Sequence, residues 1–206
     1  MTRTSVGWWT AAAAAGVVAL LATSGRAEAP SSWRVTRSEV RVICPLTLGG
    51  AFEARTDALR GTLSLEAAHP VTFAGELLVD LRTLDTGIRL RNDHLRDVYL
   101  EVGRGDGFDK AVLSRIALVG IEAEMLHGRT GFSGTLFLHG VGYAVSGQAQ
   151  IDREPGSVRV EASFPVTLAD YGIRKPQYLG VGVKEQIQVR VLLWATSVDV
   201  PTEEGR

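Results

Sequence analysis

The chain has 206 residues, 45% of them hydrophobic and 22% charged, with a formal net charge of -1. That length and apolar content suit one domain with a sizeable core and exclude a disordered chain. The near-neutral balance excludes the basic surface that nucleic-acid binding requires.

Residues 1–29 differ from the rest. Arg3 gives a positive start, Ala11 to Ala22 form an uncharged apolar run, and Ala27-Glu28-Ala29 has the small-x-small form of a signal-peptidase site. The run is shorter than the roughly 20 residues of a spanning helix, so a cleaved signal peptide is expected and no membrane span after it. Pro30 is a poor acceptor, which leaves cleavage after Ala22, Ser24 or Ala27 open. An uncleaved anchor extended back through Trp8 and Trp9 is the alternative. The expected location is periplasmic or secreted. Cys44 is the only cysteine, so an exported form must rely on its core rather than on an intrachain disulfide.

From residue 30 to about 200 the dominant pattern is period two, as in strands with one buried and one wet face. Val40 and Val42 share a face within Thr36–Ile43. Leu59, Gly61, Leu63 and Leu65 alternate with Arg60, Thr62, Ser64 and Glu66, and Val71, Phe73, Gly75, Leu77 and Val79 follow on one face. Lys110–Glu122 is less regular. Phe132, Gly134, Leu136 and Leu138 then share a face, as do Tyr143, Val145, Gly147, Ala149 and Ile151. Val158, Val160, Ala162 and Phe164 oppose Arg159, Glu161 and Ser163, and Ile187, Val189, Val191 and Leu193 oppose Gln186, Gln188 and Arg190. These make eight predicted strands.

The connections are short and turn-like: Ala67–Pro70, Glu154-Pro155-Gly156, and His139–Gly142 as a hairpin linker. Such punctuation fits a meander that closes into a barrel or packs as a sandwich. One interruption is helical: Ile88–Leu100 puts Leu90, His94, Leu95, Val98 and Tyr99 on one side, with Asp85 or Thr86 placed to cap its start. A second, Ala169–Lys184, is broken by Gly and Pro and reads as an ordered loop. The tail at 201–206 is expected to fray.

Three segments carry a resemblance. Thr86-Gly87-Ile88 with Arg91-Asn92-Asp93-His94-Leu95-Arg96 resembles the "TG…R(D/N)xHL" helix of the bacterial YceI-like, polyisoprenoid-binding family. Gly134–Val141 is similar to its "GxLxLHGV" hairpin, and Asp170-Tyr171-Gly172-Ile173 with Gly180–Val189 to its closing region. Gly142, where the family often has threonine, and the lack of a proline in Phe108–Ala111 are departures. The resemblance covers roughly residues 32–196. It implies an all-β fold: an eight-stranded antiparallel lipocalin-like β-barrel with one short helix, exported and holding an isoprenoid chain.

The residues themselves also point to a cavity. An eight-stranded barrel can just fill itself or leave room for one ligand. The inward positions Gly61, Gly75, Gly134 and Gly147 carry no side chain, which reads either as open space or as bends where strands coil. The expected wall is Phe73, Leu77, Phe132, Leu136, Val145, Val160, Phe164, Ile187 and Val189, with Tyr99, Tyr171 or Tyr178 meeting a polar head at the mouth. On this reading Gly134→Leu and Gly147→Leu would weaken lipid retention, and cargo would enter beneath the helix and the Ala169–Lys184 loop. The expected ligand is an isoprenoid lipid or quinone, with no enzyme cofactor. The alternative is a solid-cored barrel whose loops dock on a membrane redox or stress-response partner; a homodimer is a further expectation.

Other chemistries find little support. A membrane barrel would turn its apolar face outward and crowd Arg60, Glu66, Arg159, Glu161 and Arg190 into the lumen. His69, His94, His127 and His139 fall at no metal spacing, and neither a G-x-S-x-G element nor a P-loop is present. Asp93 and Asp97 are an i, i+4 pair among Arg89, Arg91 and Arg96, which reads as a salt-bridged face rather than a catalytic couple. A lipid-ester hydrolase would need a nucleophile beside a histidine. The sequence therefore reads as a binding protein rather than an enzyme.

Overall fold

The computed structural model describes residues 32–123, 126–178 and 181–198. The expected signal segment and the tail at 201–206 lie outside the described residues.

The alternating segments form β1 (Ser32–Pro45), β2 (Ala51–Thr56), β3 (Leu59–Ala68), β4 (Val71–Asp80), β5 (Lys110–Val119), β6 (Gly128–Leu138), β7 (Val141–Glu154), β8 (Ser157–Thr167) and β11 (Gln186–Val198). Two short strands, β9 (Gln177–Tyr178) and β10 (Val181–Gly182), pair only with each other. The main sheet runs β11-β8-β7-β6-β5-β4-β3-β1-β2 and closes on itself through antiparallel pairing of β1 with β11. β2 and β3 act as one broken wall strand: β2 pairs with the second half of β1, and β3 with its first residues. The result is a closed eight-stranded antiparallel barrel.

The break between β2 and β3 is held from β1. The buried Ser38 hydroxyl shares its hydrogen between the carbonyl oxygens of Asp57 and Leu59, at 2.9 and 3.2 Å. Closure also needs the strands to coil. Register shifts occur in β4 between Phe73 and Glu76, and in β5 between Ser114 and Ala117, where Arg115 takes a φ of 53°.

β7 and β8 show how sequence period becomes wall and surface. Ala149 stands opposite Ala162 and Ile151 opposite Val160, all facing inward. Between them Gln150 faces Glu161, and Asp152 faces and ion-pairs with Arg159 at 3.0 Å on the outer face. Charge outside and hydrocarbon inside is the reverse of a lipid-facing barrel. No helix among the described residues is long and apolar enough to cross a membrane.

The β6–β7 turn is two residues long, and His139 and Gly140 have φ of 53° and 81°, as the strand twist requires of a tight hairpin. It lies at the end of the barrel that also carries the helical segment, here called the helix end. That segment is shorter than the periodicity predicts: α1 (Arg89–His94) passes into a π-helical turn, Leu95–Tyr99. The extra residue per turn shifts its phase, so Leu90 and Val98 are exposed, while Leu95 and Tyr99 pack inward. Asp85 and Thr86 do not cap α1. Asn92 reaches back to them instead, donating to Asp85 Oδ1 at 2.6 Å and accepting from the Thr86 amide at 2.7 Å. The expected Asp93/Asp97 salt-bridge face does not form either. Arg91 lies over the Phe52 ring at 4.7 Å, and Arg96 donates to the Leu84 carbonyl at 2.7 Å.

Candidate functional site

The barrel encloses a chamber of about 280 Å³. A single water needs roughly 10–15 Å³ on this measure, and apolar cavities half this size stay dry and take up hydrocarbon. Mid-barrel wall residues such as Val160, Ala162, Val189 and Val191 are only half-buried, because they face this space rather than other side chains. The interior is therefore not the solid core of the alternative expectation.

The wall is almost entirely carbon. Phe132 of β6 meets Phe164 of β8 edge-to-face at 5.7 Å, and Trp33 of β1 meets Phe73 of β4 at 6.1 Å. Cys44 also lines the chamber from the end of β1, and burial pushes its thiol up to about 12. A thiol so placed stays protonated and inert.

Leu81, Leu84, Leu100, Leu168 and Ile173 seal the helix end, each of them buried. His139 ties these pieces together. Its Nδ1 lies 2.8 Å from the Tyr171 carbonyl oxygen, its Nε2 3.1 Å from Glu101 Oε2, and its ring 4.7 Å from that of Phe108. Glu101 also accepts from Arg104 at 2.8 Å, and this bond first, then His139, holds its carboxyl below the usual range. At the opposite end Leu126, between β5 and β6, reaches the wall.

Of the predicted ligand contacts, Phe73, Leu77, Tyr99, Phe132, Leu136, Val160, Phe164, Ile187 and Val189 all lie on the chamber wall. Gly134, Val145, Gly147 and Tyr171 do not. Val145 is buried in the surrounding core. Tyr171 is only 2% exposed, packs on Tyr143 at 5.5 Å, and has a buried hydroxyl with no partner. Burial pushes that hydroxyl up to about 12, so Tyr171 is packing, not a residue of the mouth. Tyr178 lies in β9, and its side chain is outside the described residues.

The glycines also need correcting. A Cβ on Gly147 would overlap the Ser163 carbonyl oxygen and lie 2.7 Å from Phe164 Cβ, and Cβ atoms on Gly61 and Gly75 would overlap the Glu76 and Thr62 carbonyl oxygens. These positions are where neighbouring strands press together, not openings in the wall. The space comes from alanines, Ala149 and Ala162, and from the barrel's diameter. Trp33, Cys44, Phe52 and the sealing leucines were not predicted. Trp33 and Phe52 each continue a period-two pattern in strands longer than, or additional to, those read from sequence.

Among the described residues there is no group of three or more His, Cys, Asp or Glu able to hold a metal. No hydrogen bond there joins a histidine to a serine, threonine or cysteine side chain; His139 and His127 engage Tyr171, Glu101 and the Arg153 amide.

A closed antiparallel barrel around an apolar chamber defines a lipocalin-like ligand-binding class of protein. The YceI-like domain model matches residues 33–195, and the chain belongs to that family. Two solved structures share the fold. One is a polyisoprenoid binding domain from Saccharophagus degradans, with 18% identity and a TM-score of 0.57, covering 83% of this chain and 100% of that one. The other is BcnA of Burkholderia cenocepacia, with 15% identity and a TM-score of 0.61, covering 77% of this chain and 96% of that one. Comparison with the curated proteins gives no match.

Proposed function

We propose that this protein is an exported carrier or sequestering protein that buries the chain of a polyisoprenoid or similar lipid inside its barrel. The observation that carries this reading is the almost entirely carbon wall of the 280 Å³ chamber. Such a wall offers no hydrogen bonds to a sugar or nucleotide, whose polar groups would be stranded on entry. A hydrocarbon tail loses nothing of that kind and gains about 0.8 kcal/mol for each methylene buried. Membership of the YceI-like family, and the polyisoprenoid-binding description of the Saccharophagus domain, support the same cargo.

The test is organic extraction and native mass spectrometry of protein purified from its own host. The expected result is one lipid of defined mass per chain. Empty protein that also fails to take up a prenyl alcohol in vitro would overturn the reading.

A further inference from the structure

Resting on that reading, we infer that the cargo is an amphiphile with an anionic head, and that the head lies at the barrel end opposite the helix, beside Arg153. Among the described residues Arg153 is the only charged one on the chamber wall. Among the described residues it is also the only exposed one on the wall, so this rim presents a charged side chain to solvent.

Its position follows from register. Along β7 the inward face runs Val145, Gly147, Ala149, Ile151 and then Arg153, which pairs with the wall residue Val158 of β8. A charged residue thus ends an otherwise apolar inward column. Because carbon lines the wall there, the stem of Arg153 completes the chamber and its guanidinium stands outside.

The acids of β7 and β8 beside it are committed elsewhere or turned away. Asp152 and Glu161, on the outer face, both engage Arg159. Glu154, next in the strand, alternates to the outer face and is exposed. Among the described residues Arg153 enters no ion pair, whereas its outer-face neighbour Arg159 holds two. The Arg153 amide donates to His127 Nδ1 at 3.4 Å, which leaves the ring hydrogen on Nε2 as a second donor at the same rim. A guanidinium with an apolar stem at the mouth of a hydrocarbon chamber matches a chain ending in phosphate or carboxylate. This end is not the one where the sequence placed the head group. At the helix end Tyr171 is off the wall, and Leu81, Leu84 and Leu100 are buried.

The test is a competition on the delipidated full chain between geranylgeraniol, geranylgeranoic acid and geranylgeranyl phosphate, which share one tail. The wild-type protein is expected to favour an anionic form about fivefold, the upper range for an exposed ion pair. Which anion wins separates a carboxylate from a phosphate cargo. Arg153→Met keeps the apolar stem, and should equalise the three. Equal binding of all three by the wild type, or a preference that survives in R153M, would overturn the head-group assignment and leave the chamber reading intact. Failure of every form to bind overturns both.

Discussion

Gly147 of β7 lies so close to β8 that a Cβ on it would overlap the backbone oxygen of Ser163, and the same Cβ would lie 2.8 Å from Phe132 Cε1. Backbone cannot yield there without opening the ladder. Gly147→Ala is therefore expected to cost on the order of 3 kcal/mol, at the upper end of overpacking substitutions. Gly134→Ala meets Leu113 Cδ1, the far end of a flexible side chain, together with the Ser114 carbonyl oxygen, both at 3.1 Å, and should cost about 1 kcal/mol or less. Urea unfolding midpoints of the two variants compare them directly. Equal stability would mean that the strands separate more easily than this packing implies.

The same pair of glycines shows where sequence reading stops. Period two revealed the wall because one face of each strand meets an apolar chamber and the other meets water. It could not say whether an inward glycine opens space or lets two backbones touch, since that depends on the strand alongside. β2 was missed because Ala51–Thr56 is short and only Phe52 is a large apolar residue. The helix was found but its face misjudged: the π-helical turn at Leu95–Tyr99 changes the phase, and no propensity marks such a turn. Arg153 is not legible as a wall residue, because a charged residue looks like the end of an inward column when here it is the rim.

Space in the chamber is set by Ala162 and Ala149, which face one another across β8 and β7. Ala162→Phe extends a ring into the cavity without touching the ladder. It should displace at least two methylenes of cargo, worth about 0.8 kcal/mol each, and so lower lipid affinity about tenfold. Quantifying extracted lipid per folded protein, with circular dichroism to confirm the fold, checks this. Full lipid occupancy in a folded variant would place the cargo elsewhere.

Cys44 gives an independent report on the chamber. Its thiol faces apolar wall and is held protonated, with burial pushing it up to about 12. Native protein at pH 8 should therefore resist a thiol-disulfide reagent that labels it fully in guanidinium chloride. Cys44→Ser would put a hydroxyl where no partner exists and cost about 1–3 kcal/mol. Native labelling as fast as that of a free thiol would show that this end of the barrel opens readily.

Asp85 couples the helical segment to the barrel, and acid should uncouple it. Its backbone exchanges two hydrogen bonds with Arg55 of β2, at 2.8 and 2.9 Å, while its side chain accepts from Asn92 and the Gly87 amide. The Asn92 bond first, then the Gly87 amide, holds the carboxyl below its ordinary range. A carboxyl depressed in the folded state contributes stability that is complete above its unfolded pKa and disappears as pH falls through the folded one. The tether is accordingly intact at neutral pH and lost only below about pH 4. Followed by NMR, the Gly87 amide should move with the Asp85 titration, and Asp85→Asn should abolish that response while leaving the barrel strands unchanged. The π-helical turn should then show faster hydrogen exchange in Asp85→Asn at neutral pH. Exchange there indistinguishable from wild type would mean that the Arg55 backbone pair alone fixes the segment over the chamber.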